Sequence, residues 1–501
     1  MSTNTSSAPP DRTDPLVTDP SSAVPAVAGS DDRPAIAPTA IHPDQDGAGR
    51  PGAAPPTPLA GRAEEGEPHA ALHHADPPGA RSLEAVPRRP SWRTLISTGT
   101  GNALEWFDWA IFGTFSPFFA HQFFPAATGM LALLSALAVF AVGFVMRPIG
   151  SLVFGWYADR KGRRSALIGS IALASSGSLL IGVCPAHAAI GLAAPVLLVL
   201  ARMAQGLGHG GEMPAVQTYL AESSPHGRRG RWATFIYISG TTGIIVSTVL
   251  GAVESGGLSK AQMSAWGWRV PFLLGGVVGA YTLVMRLRLT ESASFARNTA
   301  PAVPLWRGLW THRIACARAF GLTLGGTVTI YLWMIGAPAQ QVAAHRIPAA
   351  QVLWISVLAS VVMIAMLPLY GGLADRIGRR PVLLLANLGS AAAIFPLTAL
   401  LGRGPWQLAV ALIVAMVFVA PFAAVIPAVY AELFPTGIRA TGSGLGAAVA
   451  TAAFGGTAPY LQTWLTGSHH AALFAGYVLV LSLASAAVVL GMPETRDARI
   501  D

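Results

Sequence analysis

An all-α membrane fold, with twelve transmembrane helices in two parallel six-helix repeats, is what this 501-residue sequence predicts. Three observations carry the prediction. Hydrophobic residues make up 52% of the chain and charged ones only 11%, where an ordinary soluble domain has roughly 25% charged. Twelve stretches are apolar enough and, at about 20 residues, long enough to cross hydrocarbon as helices. A ten-residue loop also occurs twice: Gly155–Arg164 reads GWYADRKGRR and Gly371–Arg380 reads GGLADRIGRR, agreeing at seven positions with an offset of 216.

The elements follow in order. Residues 1–90 hold 12 of the 24 acids and 17 of the 38 prolines, but 7 of the 33 Lys and Arg. With few aromatics, such a segment buries too little apolar surface to offset its ordering entropy, so it is expected to be a disordered cytoplasmic tail. Its opening, MSTNTSS, is polar, and the first apolar stretch begins near Leu95, so no cleavable signal peptide is expected. The first half, 91–287, takes spans near 95–120, 130–157, 165–183, 193–222, 232–254 and 268–287. A central cytoplasmic loop, 288–315, leads into the second half, 316–491, with spans near 316–340, 350–373, 381–401, 406–432, 441–466 and 471–491. Residues 492–501 make a short cytoplasmic tail. Several spans exceed the minimum, so tilts or kinks are expected, helped by Pro117, Pro148, Pro214, Pro421 and Pro427.

Lys and Arg favour the cytoplasmic side of short loops. Arg160, Lys161, Arg163 and Arg164, then Arg228, Arg229 and Arg231, then Arg376, Arg379 and Arg380 all fall on the N-terminal side, against Lys260, Arg269, Arg346 and Arg403 opposite. Both termini are therefore placed in the cytoplasm, in a multi-pass protein of the cell (inner) membrane. These bases punctuate apolar runs instead of clustering beside a soluble fold, which excludes nucleic acid as a partner. Cys184 and Cys316 fall near opposite membrane faces, so neither a disulfide nor a metal site is expected. With no nucleophile triad or phosphate loop, no enzyme and no cofactor are expected either.

A second echo strengthens the repeat. Ala221-Glu222-x-x-Pro225-x-Gly227 matches Ala431-Glu432-x-x-Pro435-x-Gly437 at an offset of 210. Parallel halves of this kind belong to transporters that bind substrate near the midplane between them. The GxxADRxGRR loops resemble the signature of the major facilitator superfamily. Within it, Gly101-Asn102-x-x-Glu105-Trp106-x-Asp108, Arg147-Pro148-Ile149-Gly150, Arg202-x-x-Gln205-Gly206, Gly210-Gly211-Glu212, Trp266-Gly267-Trp268-Arg269-Val270-Pro271-Phe272 and Phe454-Gly455-Gly456-Thr457-Ala458-Pro459 are similar to the metabolite:proton symporters. That group carries 2-oxoglutarate, citrate, shikimate and proline or betaine. The resemblance spans about 93–495 and implies the major facilitator fold, proton coupling and a small organic acid or zwitterion as partner.

The repeated loops read as a cytoplasmic gate. An Asp suits the N-terminus of a neighbouring helix, where free N–H groups favour an anion. The resemblance places Asp159 against the eleventh helix, near Thr441, and Asp375 against the fifth, near Trp232. Arg163 with Glu222, and Arg379 with Glu432, would complete one ionic latch in each half. Solvated loop charges that serve orientation alone are the plainer alternative.

Ionisable side chains at bilayer depth cost roughly 3 kcal/mol and are functional candidates by default. Arg202, Gln205, His209 and Glu212 share an arc of roughly 80° on the fourth helix, at 100° per residue. Arg202 and Arg147 offer guanidinium forks for a carboxylate, and Gln205 and Tyr331 are further substrate candidates. Asp108, then Glu105, are the proton-coupling candidates, with Glu212 and His209 behind them; His209 also reads as a neutral helix contact. Trp106, Trp109 and Phe112 line a pore or simply pack. Thr323, Thr327 and Tyr331 form one polar face of the seventh helix.

The function read from these residues is proton-coupled import of a small organic acid, such as a di- or tricarboxylate, by alternating access. The alternatives are a proline- or betaine-type symporter, an efflux or exchange carrier, and a transporter-like sensor. The protein is expected to act as a monomer in the lipid bilayer. The chain stops about ten residues after the twelfth span, so regulation through a long C-terminal coiled coil is not expected.

Overall fold

The computed structural model describes residues 92–125, 129–161, 163–210, 227–287, 305–344, 346–435 and 438–498, together with 217, 220, 224 and 225. Among these residues twelve long helical rods follow one another: α1 (Trp92–Phe123), α2 (Gly129–Lys161), α3 (Arg163–Val183), α4 (Ala193–His209), α5 (Arg229–Gly257), α6, α7, α8 (Ala349–Ile377), α9 (Arg379–Thr398), α10 (Pro405–Leu433), α11 and α12 (Ala471–Gly491). Three rods contain a π-helical turn. In α6 it is Met263–Gly267, between Lys260–Gln262 and Arg269–Leu287; in α7 it is Leu332–Gly336, between Arg313–Tyr331 and Ala337–Ala343. In α11 it is Thr451–Gly455, between Arg439–Ala450 and Ala458–Gly467. Eight of the rods are long and apolar enough by composition alone to cross a membrane. The expected tail, 1–90, and most of the central loop lie outside the described residues, although Leu305–Thr311 within that loop is helical.

Local chemistry sets the boundaries. Rod α6 begins eight residues before the expected 268, because Ser259 and Gln262 form a capping box: the Gln262 N–H donates to Ser259 Oγ (3.2 Å) and the Ser259 N–H to Gln262 Oε1 (3.0 Å). The sharp corner between α8 and α9 turns on Gly378, whose φ of 103° an L side chain rarely adopts. Rod α10 starts at Pro405, where the missing N–H costs no intrahelical bond.

Packing repeats the sequence echo. In the first half α3 packs on α6 and α4, α2 on α4, and α1 on α5; in the second α9 packs on α12 and α10, α8 on α10, and α7 on α11, each pair displaced by six helices. The halves meet through α5 with α8 and α2 with α11, two contacts related by the same displacement. Glycines bring α2 and α4 to backbone contact. A Cβ on Gly206 would overlap the Gly143 carbonyl oxygen, and one on Gly210 the Arg147 carbonyl oxygen. Small residues at helix crossings allow this closeness in membranes. It sets Arg147 of α2 beside Arg202 of α4.

Candidate functional site

Two buried clusters hold the expected residues: one at mid-bundle in the first half, the other at the end of the bundle where α1 begins and α12 ends, the terminus-bearing end of the helices. The first is built on Trp109 of α1, itself 4% exposed. The Arg147 guanidinium lies 3.9 Å from its ring centroid and the Arg202 guanidinium 4.4 Å. Arg202 also stacks over Phe112 (4.4 Å) and Phe140 (5.3 Å), and Arg147 over Phe144 (4.9 Å). Desolvated cation–π contacts are worth about 2 kcal/mol each, so the rings stabilise two like charges that would otherwise repel. Trp109 was legible in the sequence only as pore lining or packing.

Acids complete the cluster along two separate lines. Glu105 Oε1 lies 3.6 Å from Arg147 Nη2. Asp108 meets His209 Nε2 through Oδ2 at 3.1 Å, accepts from Gln205 Nε2 at 2.9 Å, and takes the Ser178 hydroxyl on Oδ1. Gln205 in turn accepts from Arg202 Nη1 at 2.6 Å. The direct partner of Asp108 is thus His209, with Gln205 standing between Asp108 and Arg202. Arg202 and Asp108 are joined through Gln205, which is one turn from Arg202 and long enough to fill the gap. The helical stripe of Arg202, Gln205 and His209 is present on one side of α4; its fourth member, Glu212, lies outside the described residues, as does Pro214.

Several donors of the cluster lack an acceptor. Arg202 Nε and Nη2, Arg147 Nε and the Trp109 indole N–H are buried without a hydrogen-bond partner. All four are donors only, so an acceptor group is what they lack. Tyr331 of α7 closes the cluster from the other half: its ring meets Phe144 at 4.9 Å, and its hydroxyl faces Arg147. The rest of the expected α7 face is engaged elsewhere. Thr323 bonds the Tyr430 hydroxyl, and Thr327 donates to Thr451 (3.4 Å). Trp106 packs edge-on against Tyr237 of α5 at 5.2 Å.

At the terminus-bearing end, Asp375 accepts from the N–H groups of Gly230 (2.8 Å) and Arg231 (3.0 Å), the first turn of α5 in the opposite half. Arg379 donates to Asp375 (2.8 Å) and to Glu432 Oε1 (3.1 Å). Glu432 also accepts from Thr495 Oγ1 at 2.7 Å and lies 3.9 Å from Arg229. The side chains of Asp159 and Arg163, and Glu222 entirely, lie outside what is described. Glu494, which the sequence reading left in an unremarkable tail, accepts from the N–H groups of Arg379 (2.8 Å) and Arg380 (3.1 Å). Burial works against its charge, yet the N–H groups of Arg379, Arg380, Arg496 and Thr495 outweigh it and hold the carboxyl below the ordinary glutamate range.

The model of the sugar (and other) transporter family matches residues 94–300 and 340–500. The chain is 34% identical over 407 residues to the alpha-ketoglutarate permease of Escherichia coli (strain K12), covering 80% of this chain and 94% of that one. It is 33% identical over 379 residues to the citrate-proton symporter of Klebsiella pneumoniae, covering 74% and 84%. The fold is similar to that of the proton:xylose symporter XylE, with a TM-score of 0.65, 17% identity, and coverage of 81% of this chain and 96% of that one.

Proposed function

The chain belongs to the sugar (and other) transporter family and has the major facilitator fold, and from that premise we propose that it is a proton-coupled symporter of a small di- or tricarboxylate. One observation carries the substrate class. Four buried donor atoms on Arg147, Arg202 and Trp109, whose groups stack on one another, have no hydrogen-bond partner, and a carboxylate supplies acceptors in the fork geometry that guanidinium matches. The named relatives, an alpha-ketoglutarate permease and a citrate-proton symporter, agree with that class. A betaine-type substrate is disfavoured because the rings that would cage its quaternary ammonium already carry the two guanidiniums.

In this reading the Asp108–His209 pair holds the coupled proton. Protonation of Asp108 weakens its bond from Gln205, frees Gln205 from its bridging position, and releases Arg202 Nη1 for substrate. Tyr331 brings the second half onto the bound anion, and the latch of Asp375, Arg379 and Glu432 closes the terminus-bearing side, taken as cytoplasmic, until the halves rock. Asp159, Arg163 and Glu222 are assigned the matching latch, and Glu105 holds Arg147. The protein works as a monomer in a cell membrane with both termini in the cytoplasm, and no catalytic step is assigned to it. The deciding experiment is uptake by purified protein in liposomes under an imposed pH gradient. Accumulation of a di- or tricarboxylate with acidification of the lumen is expected; no flux across a broad carboxylate panel refutes the reading in favour of a sensor.

A further inference from the structure

The first half contains an opening that the substrate route does not use. A narrow crevice of about 40 Å³ lies between α1, α3, α4 and α6. Its inner end is formed by Asp108, Ser178 and His209, and its outer end by Gly101, Ser170 and Thr282. None of Arg147, Arg202, Trp109 or Tyr331 lines it, and neither does any residue of the second half. At 1.5 Å per residue, Gly101 lies about 14 Å from the start of α1 and Asp108 about 24 Å; on α3, Ser170 and Ser178 lie about 10 and 22 Å from its start. The crevice therefore climbs about 10 Å from mid-bundle toward the terminus-bearing end. Rod α1, about 48 Å long, exceeds the roughly 30 Å hydrocarbon core by about 18 Å. Shared between both ends, that excess puts Gly101 within about 5 Å of the hydrocarbon boundary.

Missing side chains keep the crevice open. A Cβ on Gly279 would overlap Ser175 Oγ, and one on Gly275 would stand 3.3 Å from Asp108 Oδ1. Asp108 also joins the two regions: its Oδ2 meets Gln205, which reaches Arg202, and His209, while its Oδ1 meets Ser178, and His209 and Ser178 both line the crevice. The other charged groups near Asp108 are Glu105, which lines the same crevice, and Arg202 behind Gln205.

We propose that this crevice is the route by which the coupled proton passes between Asp108 and the terminus-bearing side, apart from the path of the substrate. The proton binds Asp108 from the substrate side, the protonated carboxyl turns so that its O–H points along the crevice, with the Ser178 hydroxyl turning to accept, and the proton leaves to water entering past Ser178 and Ser175. The proposal rests on the proton-symport reading above.

The test uses full-length protein in liposomes and two measurements. Ser175→Leu plugs the crevice away from the site; it is expected to cut pH-gradient-driven accumulation at least tenfold while leaving substrate counterflow, which needs no net proton release, within twofold of wild type. Accumulation within twofold of wild type overturns the proposal. Where the leucine prevents folding, read as loss of both activities, Ser175→Cys carries the test in a chain with Cys184 and Cys316 replaced by Ala. Labelling by a small membrane-impermeant thiol reagent from the terminus-bearing side supports the route, and no labelling from that side overturns it. Wild-type protein that exchanges substrate without moving protons sinks the symport reading instead, so the two failures are distinguishable.

Discussion

Asp375→Asn should open the terminus-bearing gate by about 30-fold in population. Asp375 ties the second half to the first through two N–H groups at the start of α5, and Arg379 holds it from behind at 2.8 Å. Hydrogen bonds to a charged acceptor contribute about 1.5–3 kcal/mol each. Taking the low end, because Arg231 is exposed, the two inter-half bonds amount to about 3 kcal/mol. Asparagine keeps one acceptor oxygen, loses the charge that the helix N-terminus favours, and turns an NH₂ toward the other N–H, so about 2 kcal/mol is lost. At 1.4 kcal/mol per tenfold, that is the ~30-fold shift. The assay is an inter-label distance distribution between Trp156→Cys and Ile377→Cys, exposed positions on opposite halves, with the native cysteines replaced. A longer-distance population should grow in Asp375→Asn. An unchanged distribution in a folded protein would refute the view that Asp375 holds the halves together.

Asp108→Asn is expected to abolish gradient-driven accumulation while substrate counterflow persists; accumulation intact in liposomes would remove Asp108 as the proton carrier. Arg202→Lys and Arg147→Lys each lose a planar fork and a ring contact and should weaken carboxylate binding at least tenfold, measured by calorimetry or tryptophan fluorescence; unchanged affinity in both would remove the anion argument. Gly206→Ala drives a methyl into the Gly143 carbonyl and should cost about 1–3 kcal/mol by overpacking, read as a lower melting temperature. The lowered pKa of Glu494 means that it contributes stability above the ordinary glutamate value, lost as pH falls through the lowered one. Proteolytic release of the 492–498 strap should therefore increase only below about pH 4.5, and Glu494→Gln should remove that pH dependence.

The sequence made the architecture legible because hydrocarbon imposes length and apolarity on every span, and because the two GxxADRxGRR loops fix the repeat. Individual charges were legible for the same reason: Arg147, Arg202, Glu105 and Asp108 stand out where charge is expensive. Partnerships were not. Whether Asp108 faces Arg202 or His209 depends on how α1 is set along α4, which the periodicity of either helix alone does not encode. Trp109 was hidden among other aromatics, since a ring between two guanidiniums and a ring against lipid read alike in a helix. Glu494 was hidden because its partners are backbone N–H groups, those of Arg379 and Arg380 over 110 residues away in the chain, which no side-chain pattern announces.

The π turns of α7 and α11 have a consequence for how the two halves share the work. A π turn adds a residue to one helical cycle and loosens the local hydrogen-bond ladder, and both these rods face the first half across the central seam. Rods α1 to α5 contain no such turn among their described residues, and they hold the mid-bundle charges Glu105, Asp108, Arg147 and Arg202. The five rods around the mid-bundle charges thus keep a regular helical ladder, whereas the π turns fall in α6 of the same half and in α7 and α11 of the other. Bending at the turns of α7 and α11 would let the second half adjust across the seam without displacing the mid-bundle charges of the first.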